Sequence, residues 1–355
     1  MELIFTKESE WLKKWDDFIQ NEDKGSHLLL SAWLKSFRSF GFDFEVCLLV
    51  DNNKIVGGYG AVLAKAALFK FYIIPYGPIV AIGFEHAIND LISSVSIRAK
   101  FHKCCYCHIT LPISDVVNQH AYHNLPPIPA LDNAATGHLF KYVYSSNGLN
   151  WINLNGFTDE ESLLESFRPS VRRYIRSSQR KGLDIRLLKD AIEIQQGYEL
   201  CLANAEQNNY SLRSWNAFNA TLFEVINDGT GKFYGAFKDG VLKGAALVVG
   251  AGNYDTYILG GTAKEKPDLL VGHFLHWNAI KSAYTMQLTG YNISLGGSAG
   301  VVDFKNSYAN EQIMFTGSKF HWITKPFTFR IYQLIEKRIK PYKSTIARIF
   351  SKKQQ

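Results

Sequence analysis

Three cysteines and two histidines crowd one short stretch (His102, Cys104, Cys105, Cys107 and His108), and sulfur and imidazole at that density first suggest a metal centre. Paired-cysteine sites place two residues between the first two thiolates, so that both reach one ion, and add a second pair further along. Neither spacing occurs here. The residues instead alternate as a strand would, with Cys105 and Cys107 on one face, so buried structural thiols and no metal are expected. The chain also holds no Gly-x-Ser-x-Gly turn, Walker loop or dinucleotide fingerprint, which counts against hydrolase triads and nucleotide-dependent kinases. Five cysteines, an odd number, and an N-terminus without an apolar leader predict reduced thiols and a cytoplasmic location.

Charge is the second chemical signal. The formal net charge is +7, and it is focused. Residues 168–189 carry Arg168, Arg172, Arg173, Arg176, Arg180, Lys181, Arg186 and Lys189 against the single acid Asp184. Residues 325–355 carry Lys325, Arg330, Lys337, Arg338, Lys340, Lys343, Arg348, Lys352 and Lys353 against Glu336. Such foci attract phosphates, tRNA or anionic lipid; the plainer reading is a pair of solvated helix faces.

These groups need a scaffold, and 355 residues with 46% hydrophobic content predict two core-bearing domains. Residues 44–65 read as a hairpin turning at Asp51, Asn52 and Asn53, and residues 232–252 repeat it with a turn at Lys238, Asp239 and Gly240. Two such hairpins, each followed by strand-like and helix-like segments, suggest a duplicated α+β or α/β domain. Apolar periodicity predicts helices over 29–40, 86–101, 191–208, 214–227 and 270–286, with strands over 69–74 and 105–111. Thr158 and Glu161 form a capping-box pattern, Pro169 interrupts the helix they open, and a basic helix over 170–181 ends at Gly182. The boundary is placed near residue 155.

Several short motifs follow one another on this framework. Tyr72, Pro75, Gly77 and Pro78 form Tyr-x-x-Pro-x-Gly-Pro, and Lys181 with Gly182 closes the basic helix. Then come Tyr257 with Gly260 and Gly261, Trp277 with Ile280 and Ala283, Gly296 with Gly297, and Phe304 with Lys305. In this order, from Trp33 to Tyr332, the chain resembles the Fem-type transferases that build peptidoglycan bridges, within the GNAT N-acyltransferase superfamily. The resemblance implies an α/β (α+β) fold of two tandem GNAT-like domains with mixed central sheets, 1–155 and 156–325, followed by a basic helical tail, 326–355. Ser294 stands where the family has an acidic residue before Gly-Gly, and residues 306–310 do not end in the family's Phe-Gly pair. The long helical hairpin with which some members grip tRNA has no counterpart.

N-acyl transfer needs an amine within attack distance of an ester or thioester carbonyl and a positive group where the oxyanion develops; it needs no protein nucleophile. The resemblance makes Lys305 that positive group, or the holder of the donor's acyl end, with Phe304 beside it at the catalytic position. It makes Arg213 the counterpart of an arginine that holds acceptor phosphate, a task suited to a bidentate guanidinium, and adds Tyr257 and Lys35 to the substrate-binding set. Without the resemblance, Lys305, Arg213 and Lys35 read as ordinary surface cations and Tyr257 as a structural aromatic.

No resident cofactor is expected; the donor, aminoacyl-tRNA or acyl-coenzyme A, is a co-substrate. Acyl-coenzyme A enzymes of the superfamily cradle pyrophosphate in an Arg/Gln-x-x-Gly-x-Gly/Ala loop at a helix N-terminus, and neither half has that loop. With the basic helix, this favours aminoacyl-tRNA as donor and an amine of a peptidoglycan or other cell-envelope precursor as acceptor. Two further classes stay open: an acyl-coenzyme A-dependent N-acetyltransferase acting on an amino sugar or polysaccharide precursor, and a duplicated domain that only binds. The expected partners are the envelope precursor, tRNA and an anionic membrane surface reached by the amphipathic tail, at the inner face; DNA is not among them. The alternative for the tail is that its apolar side packs on the second domain.

Overall fold

The computed structural model describes residues 1–339. The strands are β1 (Glu2–Thr6), β2 (Asp43–Asp51), β3 (Lys54–Ala66), β4 (Phe69–Ile74), β5 (Ile79–Val80), β6 (Tyr106–Thr110), β7 (Ala135–Thr136), β8 (Gly148–Asn153), β9 (Asp184–Leu187), β10 (Gly231–Lys238), β11 (Val241–Ala251), β12 (Tyr254–Thr262), β13 (Gly290–Asn292), β14 (Glu311–Met314) and β15 (Lys319–Ile323). The helices are α1 (Ser9–Asn21), α2 (Ser31–Lys35), α3 (Ile88–Phe101), α4 (Glu160–Ser166), α5 (Pro169–Gln179), α6 (Ala191–Gln207), α7 (Trp215–Asn227), α8 (Val271–Thr285), α9 (Ala299–Tyr308) and α10 (Pro326–Ile339).

They form two mixed sheets. The first runs β1-β2-β3-β4-β6-β15-β7, with β5 on β3, and the second runs β14-β8-β13-β12-β11-β10-β9. Each half repeats one plan. An edge strand, two helices and a three-strand antiparallel meander lead through a crossover helix to a parallel strand. In the first half these are β1, α1 and α2, β2-β3-β4, α3 and β6; in the second, β9, α6 and α7, β10-β11-β12, α8 and β13. The mixed sheets and the duplication are those expected for tandem GNAT-like domains.

Strand periodicity builds the layers. On β2, Phe44, Val46, Leu48 and Val50 face one core while Cys47 and Leu49 face another with Leu91, Ile92 and Val95 of α3. On β11, Ala245, Leu247, Val249 and Ala251 share the first of those cores, while Ala246 and Val248 pack against Phe274, Trp277 and Ile280 of α8. One apolar core therefore lies between the sheets, holding Trp15 of α1, Leu34 of α2, Tyr198 of α6 and Leu222 of α7. Polar groups lock it: the Gly252 and Asn253 amides donate to the Ile19 and Gln20 carbonyls (3.1 and 3.3 Å), and the Tyr254 hydroxyl donates to the Gly25 carbonyl (2.9 Å).

Several sequence-based expectations change. The helix expected over 29–40 is broken: Asp16 accepts a hydrogen bond from the Ser31 amide (2.7 Å), so α2 starts there, and it passes at Ser36 into a tighter turn. Asp159, not Thr158, caps α4, with Ser162 rather than Glu161 completing the capping box. Cys105 and Cys107 do not share a face. Cys105 precedes β6 and joins the central core, whereas Cys107 joins the α3 side; all five cysteines are buried free thiols.

The sheets also divide the chain differently from a cut at 155 and 325. β8 already belongs to the second sheet, and β15 returns to the first, pairing with β6 from Lys319 opposite Thr110 to Ile323 opposite Tyr106. α10 follows it, and its buried side packs on the first half, not the second: Tyr332 meets Phe69 and Phe71 at ring separations of 5.5 and 4.7 Å, and Phe329 stacks on Tyr106 at 4.9 Å. Residues 340–355 of the expected tail lie outside the described residues.

Tyr332 is buried, and its hydroxyl has no hydrogen-bond partner among the described residues, so its ring carries the docking. Tyr332→Ala is expected to cost about 3–5 kcal/mol of unfolding free energy. Tyr332→Phe, measured beside it by urea denaturation, is expected to leave stability unchanged or higher, because it removes only a buried unpaired hydroxyl.

Candidate active site

Lys305 lies on α9, which follows the turn after β13, and its neighbourhood is built by asparagines. The Asn292 side-chain oxygen accepts from the Asn150 and Ser294 amides (3.0 Å each), and Asn150 donates to the Asn306 side chain (3.0 Å) and the Ser294 carbonyl (3.4 Å). This clamp holds Ser294 in the left-handed region (φ 65°), so its hydroxyl and the Gly296 carbonyl converge on the Lys305 ammonium. Both contacts are 2.6 Å.

Lys305 is only 5% exposed, and no carboxylate pairs with it among the described residues. Two neutral oxygens do not offset the lost hydration of a buried cation, so its pKa is pushed down from 10.5 to about 8. An aspartate in place of Ser294 would neutralise this charge; the serine leaves it uncompensated.

The structure brings three of the five sequence-predicted positions together. The Lys305 ammonium lies 5.3 Å from the centre of the Tyr257 ring, and Phe304 is joined to Tyr257 through His276, at 5.4 and 4.6 Å. His276, His273 and Tyr308 escaped the sequence reading. Burial pushes His276 down to about 3 and His273 down to about 4, so both are neutral near pH 7, and His273 Nδ1 meets the Tyr308 hydroxyl at 2.6 Å. Two histidines three apart on α8, His276 beside the motif Trp277, were the available signal.

The glycine pair beyond Tyr257 has a packing reason. A Cβ on Gly261 would lie 2.2 Å from the Leu200 carbonyl of α6, and one on Gly260 would lie 2.7 Å from the Tyr257 hydroxyl. β12 and α6 thus touch backbone to backbone. Asn204 of α6 donates to the Gly260 carbonyl (3.2 Å), and Tyr198 of the same helix donates to the Arg213 carbonyl (2.8 Å), so α6 connects this site to a second one.

The second group lies where α2 meets α7. Arg213 donates to the Ser36 carbonyl (3.2 Å), and its guanidinium sits 5.1–5.9 Å from the rings of Trp33, Phe37, Phe40 and Phe218. Burial lowers its pKa, and no carboxylate pairs with it among the described residues. Lys35 is committed differently. Its ammonium pairs with Glu224 at 2.6 Å, so an anion reaching Lys35 competes with that carboxylate.

The basic helix is partly neutralised. Arg172 pairs with Glu165, and Arg176 pairs with Glu161 and Glu165 of α4, while Arg168, Arg173, Arg180 and Lys181 make no ion pair among the described residues. Near His102 and Cys107, burial raises the Cys104 and Cys107 thiols to about 12, and His102 is engaged with Glu45 (3.0 Å) beside Arg98. Among the described residues no three His, Cys, Asp or Glu side chains converge as metal ligands, and no helix is long and apolar enough to cross a membrane.

Duplicated mixed sheets with parallel crossovers are the architecture of tandem GNAT-like domains, and the sequence matches acyltransferase families of that type. The chain belongs to the FemAB family, whose model matches residues 12–229, and a model of the acetyltransferase (GNAT) domain matches residues 165–306. The crystal structure of FemX superposes with a TM-score of 0.75 at 16% identity, covering 95% of this chain and all of that one. The C-terminal domain of a protein assigned as a lysylphosphatidylglycerol synthetase from Agrobacterium fabrum gives 0.53 at 10% identity, covering 88% of this chain and 91% of that one. A conserved protein of unknown function from Bacteroides thetaiotaomicron gives 0.52 at 11%, covering 90% and 99%. No curated protein matches the sequence.

The buried ammonium has a measurable cost. The unfolded chain keeps its lysine proton up to the ordinary value of 10.5, whereas the folded protein gives it up near 8, so stability rises with pH between these limits. Lys305→Met is therefore expected to stabilise the protein by about 1–3 kcal/mol at pH 7. Denaturant titrations at pH 7, 9 and 10 should find that advantage shrinking as pH rises; a variant less stable than wild type at pH 7 would refute the assignment.

Proposed function

We propose that the protein transfers an aminoacyl group from aminoacyl-tRNA to an amine of a peptidoglycan or other cell-envelope precursor, in soluble or lipid-linked form. The observation that carries this reading is the uncompensated Lys305 ammonium, held at the Ser294–Gly296 turn by two neutral oxygens. The acceptor nitrogen attacks the donor's ester carbonyl and forms the new C–N bond while the carbonyl electrons move to oxygen. The ammonium stabilises that oxyanion, as a preorganised charge in a dry site does best. Collapse breaks the ester C–O bond, and the proton lost by the amine ends on the departing ribose oxygen. Phe304, with Tyr257 across the ammonium, closes the site around the acyl group.

Arg213 serves the acceptor. A half-buried guanidinium that no carboxylate pairs with among the described residues suits phosphate, and Lys35 joins it when released from Glu224. Arg173 of α5 and the flanking Arg168, Arg180 and Lys181, unpaired among the described residues, favour a polyanionic donor. The match of residues 165–306 to the acetyltransferase domain favours a second reading, an acyl-coenzyme A donor acting on an amino sugar or polysaccharide precursor.

Purified protein would be given labelled aminoacyl-tRNA or acetyl-coenzyme A, each with peptidoglycan precursors and with amino sugars. Transfer from aminoacyl-tRNA is expected; product from acetyl-coenzyme A alone would replace the donor. Lys305→Ala is expected to lower kcat about a hundredfold or more, the scale of losing an oxyanion partner, and full retention of activity would overturn its role.

The pH profile gives a separate check. The working form of Lys305 is the protonated one, so the rate should fall as pH rises through about 8. Lys305→Arg, charged at every pH in the range, should lose that limb. Arg213→Met should raise KM for a phosphorylated acceptor while sparing kcat.

A further inference from the structure

α10 has two apolar sides, and among the described residues only one is covered. Phe329 and Tyr332 are buried against the first half, which fixes the helix's rotation and turns the opposite side to solvent. That side carries Phe327, Ile331, Leu334 and Ile335, spaced by four, three and one, which is a single helical stripe. Phe327 is 79% and Leu334 59% exposed, high values for such side chains. Arg330 and Lys337, seven apart, run along one flank, and Arg338 lies at the end of the stripe. None of the three makes an ion pair among the described residues. Lys325, whose ammonium donates to the Lys103 carbonyl (3.1 Å), adds one exposed cation at the helix's start. The one acid of α10, Glu336, is turned to the anchored side, where it accepts from the Tyr142 hydroxyl (3.3 Å).

We propose that this outward face of α10 docks on the surface of an anionic phospholipid bilayer, with the stripe at the acyl boundary and the cations among the headgroups. The pattern decides the occupant. A second copy of the chain would set these cations against their own kind, and four side chains are few for a stable dimer. A nucleic acid would pair with the cations but leave the stripe in water. An anionic bilayer satisfies both halves of the face at once. This docking does not depend on the donor or the acceptor of the proposed reaction, and its test uses neither.

Full-length protein is sedimented with vesicles of phosphatidylcholine alone or mixed with phosphatidylglycerol, at low and high salt. Binding only to the mixed vesicles, weakened by salt, is expected. Phe327→Ser/Leu334→Ser should weaken it about tenfold or more, and Arg330→Glu/Lys337→Glu should weaken it at least as much at low salt. All these side chains are exposed, so circular dichroism and Tm should match wild type. Every variant keeps residues 340–355, so binding driven by their cations alone would leave the serine variant at wild-type affinity and overturn the proposal. So would absence of binding by wild type, or light scattering that finds a dimer broken by Leu334→Ser.

Discussion

The apolar core between the sheets is the constraint on which everything else rests. β2 and β11 each give one face to it and the other to a crossover helix, so neither sheet can move without exposing a layer shared with its neighbour. The carbonyls of the α1 C-terminus and the following loop accept hydrogen bonds from the β11–β12 turn and bolt the same joint. Because interiors are close-packed, the joint transmits position faithfully. α2 from the first half and α7 from the second meet there, and their meeting sets the rings that partly desolvate Arg213.

The second constraint is electrostatic. Burying an ammonium without a carboxylate costs stability, and the protein keeps Lys305 where two oxygens meet only part of that cost. The asparagine clamp of Asn150, Asn292 and Asn306 explains how: it forces Ser294 into a backbone conformation that non-glycine residues rarely adopt and so aims the hydroxyl. A buried cation that costs stability is the kind of group proteins keep where stability is exchanged for function, and under the proposed reaction Lys305 is that group.

The chain's route between the sheets bears on its organisation. The parallel strand of each half is closed by a strand from outside its own repeat: β13 by β8, which precedes the second repeat, and β6 by β15, which follows it. The two halves are thus interlaced at both ends, and the C-terminal helix comes to rest on the first half beside Phe69, Phe71 and Tyr106.

What the sequence determined by itself is what depends on short spans. Alternation marked both hairpins, apolar spacing marked α3, α6, α7 and α8, and the order of small motifs pointed to the family and to Lys305, Phe304 and Tyr257. Local competition defeated it at α2, where a carboxylate fifteen residues upstream starts the helix, and at Cys105, which lies one residue ahead of its strand. Only the tertiary structure could pair β15 with β6, give Glu224 to Lys35, surround Arg213 with four rings and set two neutral oxygens against Lys305. Each of those depends on residues far apart in the chain or on a backbone bend that no local pattern encodes. The desolvation that lowers the pKa of Lys305 exists only after the core has closed around it.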